Sequence, residues 1–237
     1  RRSCRSISPA RGMTMDQVTI PVDAGRSVSG LLLMPERARA CYVLAHGAGA
    51  GMTHSFLAAV STGLAERDVA TLRFQFPYME GGSKRPDRPA LACATVRAAV
   101  NAAFRLAPGL PLFAGGKSFG GRMTSQAQAD AALPDARGLV FLGFPLHPAN
   151  KPSDERARHL AAVRIPMLFV QGTRDALADT RVLGPVIGSL GAGATLQPIE
   201  QADHSFHVPV RSGITDAQVL EKMLDGVASW MRAILAG

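Results

Sequence analysis

The chain carries a serine between two glycines, Gly-Lys-Ser-Phe-Gly at 116–120, directly after the short apolar run 111–114. A serine acts as a nucleophile when its hydroxyl projects from a strand-to-helix turn so tight that neighbouring Cβ atoms would clash. Glycine on either side removes those Cβ atoms. We therefore predict that Ser118 is a nucleophile at the end of a buried strand, followed by a helix at 122–132. The alternative is an inert serine in a tight turn.

A nucleophilic serine needs a general base and an acid that orients it, and in an α/β protein these lie at the carboxyl ends of later strands. Asp175 follows the apolar run 166–171, and His204 follows the run 195–199. Both spacings leave room for the intervening strands and helices. These two residues are the candidate acid and base.

Each of these candidates has a rival nearby. Asp179 lies four residues after Asp175, but its position predicts the N-cap of a helix. His207 lies three residues after His204 and further from the strand. We expect Asp175 and His204 to be the site residues and His207 to lie outside them.

Short apolar runs alternate with amphipathic segments along the whole chain. The first two runs alternate polar and apolar residues on either side of a turn at 23–26, which predicts an antiparallel hairpin. Later runs are continuously apolar, which is typical of a mostly parallel sheet covered by helices on both faces. The predicted strands are 17–22, 28–34, 41–45, 70–76, 111–114, 138–144, 166–171 and 195–199, and the predicted helices are 55–67, 90–105, 122–132, 154–163, one after Asp179, and 216–235.

The composition limits the class of protein. At 237 residues the chain is long enough for one large domain with a substantial core. No stretch approaches the roughly 18 apolar residues that span a bilayer. Three cysteines, Cys4, Cys41 and Cys93, are odd in number and widely spaced, which favours neither disulfides nor a zinc site. We expect a cytoplasmic protein without a membrane partner.

The net charge of +8 suggests nucleic-acid binding, but its distribution does not. Four arginines and no acid lie in the first twelve residues. The densest basic group beyond them lies in the Pro/Gly-rich loop 78–89 with Asp87 and without interleaved aromatic residues. We therefore expect no nucleic-acid partner. Residues 1–12 are predicted to be a disordered tail, or a start-site artefact that precedes Met13 or Met15.

The chain resembles the α/β-hydrolase superfamily, whose members carry nucleophile, acid and histidine in this order. The resemblance covers residues 17–237 and is closest to the small, nearly lidless dienelactone-hydrolase-like members. The segments His-Gly-Ala-Gly, Gly-Gly-Lys-Ser-Phe-Gly-Gly-Arg and Asp-His-Ser-Phe are also similar to the hydrolase-like domain of a chromatin acetyltransferase-complex subunit. The resemblance to the superfamily implies a single domain with an α/β-hydrolase fold over residues 13–237. The N-terminal edge of its sheet is expected to be antiparallel.

The resemblance also implies the roles of the site residues. Asp175 orients His204, which takes the proton of Ser118 and returns it to the leaving group. The segment His-Gly-Ala-Gly at 46–49 follows the first parallel strand, where the superfamily places an oxyanion donor, so the backbone N–H groups of Ala48 and Phe119 form the oxyanion hole.

Two other interpretations of the segment that begins at His46 are weaker. The glycine-rich run lacks the Gly-Lys-Ser/Thr ending of a phosphate-binding loop, so no nucleotide cofactor is expected. His46 itself is expected to be a structural, hydrogen-bonded histidine.

The segment between Phe144 and Asp154 is too short to build a lid, so we expect a shallow, open site for small esters. His147 is either a pocket or a surface residue. Met52, His54 and the loop 78–89 are candidates for the opposite wall, or ordinary loop surface.

The sequence thus predicts a serine hydrolase of a small-molecule carboxylic ester or thioester, acting through an acyl-enzyme without cofactor or metal. The alternative is a non-enzymatic interaction module in a larger assembly, because a fold and a triad do not establish turnover. Oligomeric state and physiological substrate are not readable from the residues.

Overall fold

The computed structural model describes residues 12–237, so the expectation for the first eleven residues lies outside the described part of the chain. Its centre is one eight-stranded sheet. The strands are β1 (Met13–Asp23), β2 (Arg26–Pro35), β3 (Ala40–Ala45), β4 (Val69–Phe74), β5 (Leu112–Lys117), β6 (Ala136–Leu142), β7 (Met167–Gly172) and β8 (Ala194–Ile199). Their order across the sheet is β1-β2-β4-β3-β5-β6-β7-β8.

Six α-helices accompany the sheet in the described residues: α1 (Ser55–Ala65), α2 (Pro77–Glu80), α3 (Pro89–Leu106), α4 (Phe119–Asp130), α5 (Thr180–Leu190) and α6 (Asp216–Ala236). The segment predicted as a helix at 154–163 is a 3₁₀ helix, Glu155–Ala162. The segment 78–89, predicted as a loop, begins inside the short helix α2.

The N-terminal edge of the sheet is antiparallel, as predicted. β1 pairs with β2 through a tight turn in which the N–H of Gly25 donates to the Asp23 carboxylate at 3.1 Å. β2 then pairs antiparallel with β4, and all remaining pairs are parallel. The prediction of a mostly parallel sheet is confirmed.

Helices cover both faces of this sheet, which explains why the central strands are continuously apolar. Every residue of β3, β4 and β7 is buried. On one face, α3 and α4 pack on the sheet through side chains that include Val96, Val100, Met123 and Ala127. On the other, α1 and α6 pack through side chains that include Leu57, Val60, Val219 and Met223.

The turn at Ser118 is tighter than the helix pattern indicated. β5 ends at Lys117 and α4 begins at Phe119, so Ser118 is the N-cap, with φ 50° and ψ −115°. The predicted helix start at residue 122 was three residues late, because two glycines of low helix propensity occupy the first turn. Those glycines permit close packing, since a Cβ at Gly120 would lie 2.6 Å from the carbonyl oxygen of His46.

This packing predicts opposite effects for two glycine-to-alanine substitutions in helices. Gly120→Ala should destabilise the fold by about 1–3 kcal/mol, because β3 backbone occupies the space of the new methyl group. Gly188→Ala in α5, where the new methyl group would have no neighbouring atom within 4 Å, should stabilise it by up to about 1 kcal/mol. Urea unfolding of both variants measures this, and equal effects would contradict the packing argument.

Candidate active site

The sheet brings Ser118, Asp175 and His204 together at the carboxyl ends of β5, β7 and β8. The Nε2 atom of His204 lies 2.9 Å from the Ser118 hydroxyl oxygen. Its Nδ1 atom lies 2.7 Å from Oδ2 of Asp175. When the imidazole carries its proton on Nδ1, this N–H donates a hydrogen bond to the Asp175 carboxylate. The unprotonated Nε2 then accepts a hydrogen bond from the Ser118 hydroxyl. This is the geometry of a nucleophile, a base and an orienting acid.

The carboxylate of Asp175 is fully buried and all its hydrogen bonds within residues 12–237 come from three donors. Besides the imidazole, the Nε2 amide of Gln171 donates to Oδ2 at 2.6 Å, and the N–H of Leu177 donates to Oδ1 at 2.7 Å. The Gln171 carbonyl in turn accepts from the N–H of Phe144 at 2.8 Å. Gln171 therefore links the Asp175 carboxylate, through hydrogen bonds, to the loop that follows β6.

The loop that carries His204 is a tight turn built on Asp203. The Asp203 carboxylate accepts from the N–H groups of Ser205 at 2.7 Å and His207 at 3.0 Å. From the opposite side, the Lys117 ammonium donates to the backbone carbonyl of His204 at 2.5 Å. The histidine is thus held through its own backbone as well as through its ring.

Two backbone N–H groups are available beside Ser118. Phe119 is the first residue of α4, so its N–H has no acceptor within the helix. Across residues 12–237, neither this N–H nor that of Ala48 donates a hydrogen bond. Ala48 and Ser118 line the same cavity of about 220 Å³. Both N–H groups are therefore without a hydrogen-bond acceptor in the described residues.

A buried histidine shapes the loop that carries Ala48. The Nδ1 atom of His46 lies 2.7 Å from the carbonyl oxygen of Gly47, and its Nε2 atom accepts from the N–H of Phe76 at 3.1 Å. Burial lowers the pKa of His46 to about 4. The ring is therefore neutral at physiological pH and has a structural role, as expected.

The comparisons place this chain in a family. A family model described as an alpha/beta hydrolase domain matches residues 38–232. The chain belongs to the alpha/beta hydrolase family. Membership supports hydrolase activity, and the predicted resemblance to the α/β-hydrolase superfamily is confirmed.

Solved structures with the same fold span nearly the whole chain. A dienelactone hydrolase from Anabaena variabilis is 19% identical with a TM-score of 0.75, over 94% of this chain and 99% of that one. An a/b serine hydrolase without lid from Xanthomonas campestris is 18% identical with a TM-score of 0.71, over 91% and 94%. An esterase domain of a Rhodothermus marinus protein is 15% identical with a TM-score of 0.71, over 93% and 98%.

The rival residues of this alpha/beta hydrolase lie elsewhere. Asp179 caps α5 and pairs with Arg181 at 2.7 Å, which holds the pKa of the Asp179 carboxyl at about 2. His207 is bound to Asp216 at 2.8 Å on the surface. Within the described residues, Asp179 therefore makes no hydrogen bond to His204, and His207 makes none to Ser118.

The candidate pocket residues are only partly where the sequence suggested. His54 lines the cavity at Ser118, whereas Met52 and the loop 78–89 do not. His147 is buried behind the acid, where its Nε2 atom accepts from the N–H of Asp179 at 2.9 Å. His147 thus braces the loop that holds the carboxylate, and it is neither a pocket wall at Ser118 nor a surface residue.

Lys117 and Gln171 were missed by the sequence analysis. A polar residue at the end of the apolar run Met-Leu-Phe-Val-Gln was the available signal for Gln171. For Lys117 the signal was a lysine directly before the candidate nucleophile Ser118. Neither signal shows which partner the side chain reaches, because the Phe144 N–H and the His204 carbonyl belong to loops that follow other strands.

Burial lowers the pKa of Lys117 to about 8, although the carboxylates of Asp175 and Asp203 oppose the shift. The ammonium lies 5.3 Å from the centre of the Phe206 ring. Below pH 8 the site therefore contains a buried positive charge close to the acid and the imidazole.

This shift predicts a pH-dependent contribution to stability. The unfolded chain holds the lysine proton more tightly than the folded one, so the stability cost of Lys117 is complete below pH 8. The cost falls as the pH rises from about 8 to 10.5, the ordinary pKa of a lysine. Urea unfolding of the parent should show this rise relative to Lys117→Met. The exposed Lys222→Met is the control and should follow the parent; a Lys117→Met profile parallel to the parent's would contradict the prediction.

Within residues 12–237, no cluster of three or more His, Cys, Asp or Glu side chains is placed to hold a metal ion. The helices of the same residues include none that is both long and apolar enough to cross a membrane.

Proposed function

We propose that this alpha/beta hydrolase is a serine hydrolase that cleaves a small carboxylic ester or thioester through an acyl-enzyme. The observation that carries the proposal is the hydrogen-bonded chain from Ser118 through His204 to Asp175, beside two free backbone donors. In this arrangement a neutral hydroxyl gains a base, and the charge that develops on the substrate gains a partner.

In the acylation step the Ser118 oxygen attacks the substrate carbonyl while its proton passes to Nε2 of His204. The carbonyl electrons move to the oxygen, which receives hydrogen bonds from the N–H groups of Ala48 and Phe119. Collapse of this intermediate breaks the bond to the alcohol or thiol, which leaves with the proton from Nε2. Water then repeats the sequence on the acyl-enzyme and releases the acid.

The roles of the supporting residues follow from their contacts. Asp175 holds the tautomer in which Nε2 is free to accept the hydroxyl proton, and it stabilises the imidazolium that forms. Each oxyanion donor supplies roughly 3–4 kcal/mol of transition-state stabilisation in sites of this kind. Both donors are backbone groups that the fold holds in place before charge develops.

The size of the cavity supports a small acyl group. Its volume is about 220 Å³, and the short segment between Phe144 and Asp154 adds no roof. Two of the similar structures are a dienelactone hydrolase and a serine hydrolase without lid. The buried free thiols of Cys41 and Cys93 support a reducing, cytoplasmic location.

A fluorophosphonate probe tests the proposal. The probe reacts with an activated serine, so the native protein should label at Ser118 and the heat-denatured protein should not. Turnover of p-nitrophenyl acetate should disappear in step with labelling. Native protein that neither labels nor hydrolyses the ester would favour an interaction module over an enzyme.

A further inference from the structure

A second cavity adjoins the one at Ser118. Its volume is about 280 Å³, and the two cavities share Phe56 and Ser205 as lining residues. The remaining lining comes from Phe206 and the first turns of α6: Asp216, Ala217, Val219, Leu220 and Met223. We call this second cavity the α1–α6 groove. The groove therefore adjoins the cavity at Ser118 on the side of α6.

The α1–α6 groove is mainly apolar. The rings of Phe56 and Phe206 stack with their centres 5.7 Å apart and their planes 10° apart. Val219 and Met223 are buried, and Leu220 is half-buried. Such a surface binds alkyl or aromatic groups through burial of their apolar area.

The one charged residue that lines the groove is an acid. Asp216 accepts hydrogen bonds from His207 and from the N–H of Val208. The imidazole of His207 holds the pKa of the Asp216 carboxyl below its usual value. This carboxylate disfavours an anionic group in the groove, and the apolar lining disfavours any charged group because it offers no solvation. A neutral occupant is therefore expected.

The chemistry of the site determines which half of an ester faces the groove. The carbonyl oxygen is bound by the N–H groups of Ala48 and Phe119, whereas the leaving oxygen must lie within hydrogen-bond distance of Nε2 of His204, which protonates it. The residues that follow His204 are Ser205 and Phe206, and both line the groove. Ser205 also lines the cavity at Ser118 together with His204, so the groove adjoins that cavity on the side of the histidine that protonates the leaving oxygen.

We propose that the α1–α6 groove is the leaving-group subsite and that it takes a neutral, apolar alcohol, while the smaller cavity takes a short acyl group. This inference rests on the proposed serine hydrolase activity and defines its substrate class. It predicts that lengthening the alcohol improves the substrate and that lengthening the acyl group soon ceases to do so.

Two ester series test the assignment. Methyl, butyl, hexyl and octyl acetate vary the alcohol, and methyl acetate, butyrate, hexanoate and octanoate vary the acyl group. The alcohol leaves in the acylation step, so kcat/KM measures the effect of the alcohol. In the alcohol series we expect kcat/KM to rise about two- to fourfold per methylene up to hexyl acetate. In the acyl series we expect kcat/KM to level off after butyrate.

Two tryptophan substitutions on α6 test whether the preference for longer alcohols arises in the α1–α6 groove. Ala217→Trp places a bulky ring in the groove and should lower the ratio of kcat/KM for hexyl over methyl acetate at least tenfold. Ala233→Trp, exposed on the same helix and outside the groove lining, should retain the parental ratio. Leu220→Ala removes apolar lining instead of adding bulk and should also lower the ratio.

The outcomes separate the two proposals. A native protein that shows neither fluorophosphonate labelling nor turnover of any ester would overturn the proposed serine hydrolase activity itself. Turnover with a flat alcohol series, or with a rise that follows only the acyl chain, would overturn the leaving-group subsite and leave the hydrolase intact. A ratio that Ala217→Trp and Ala233→Trp change equally would also overturn the subsite.

Discussion

Ser118→Ala should lower kcat/KM for p-nitrophenyl acetate by at least about 10⁴-fold, because in the proposed mechanism the acyl-enzyme forms on this hydroxyl. Fluorophosphonate labelling should vanish with it. The fold should survive, since alanine is smaller than serine and the backbone N–H at this position still donates to Leu142. Steady-state kinetics on the purified variant measure the loss.

A matched control separates this loss from a general effect of serine removal. Ser189 lies exposed on α5, where its hydroxyl donates only locally, to the carbonyl of Val186. Ser189→Ala should keep parental kinetics and labelling. A Ser118→Ala variant that folds, as shown by an unchanged urea midpoint, and still turns over at the parental rate would remove Ser118 from the mechanism.

Asp175→Asn should reduce kcat by about 10³–10⁴-fold at neutral pH, because the orienting carboxylate is replaced by a group that favours the wrong imidazole tautomer. The hydrogen-bond donors around Asp175 add a second cost. Gln171 and Leu177 both donate to this carboxylate, so either orientation of the asparagine amide places its NH₂ group against another donor. The unsatisfied donor should also cost about 1–3 kcal/mol of stability.

The control for this substitution is Asp179→Asn, which changes the rival acid in the same way. Asparagine also caps helices well, and Asp179 contacts Arg181 rather than His204. We expect kcat within about twofold of the parent, since surface pairs contribute little. Asp179→Asn with the larger loss would reverse the assignment of the acid.

Much of the fold follows from local pattern. The alternation of β1 and β2 around Asp23 and Gly25 predicted the antiparallel hairpin, and continuous apolar runs predicted buried parallel strands. Helix starts were less accurate where packing overrides propensity. α4 begins at Phe119 because Gly120 lies directly against the β3 backbone, and that contact is between residues far apart in sequence.

The candidate site, like the fold, was predicted only in part from the sequence. Sequence alone determined the candidates, because a Gly-x-Ser-x-Gly turn and polar residues after apolar runs mark the edge of the sheet where ligands bind. It could not choose between Asp175 and Asp179 by contact, nor show that Lys117 reaches the His204 carbonyl. Those pairings join different strands, and their distances depend on strand order and register.

The α1–α6 groove also depended on tertiary structure. Phe56, Phe206 and Leu220 are each unremarkable in their own segments, and no spacing relates them. They form one surface because α1 and α6 pack on the same face of the sheet. Sequence determined which residues could do chemistry, whereas only the packing of distant segments decided which of them meet and what space lies beside them.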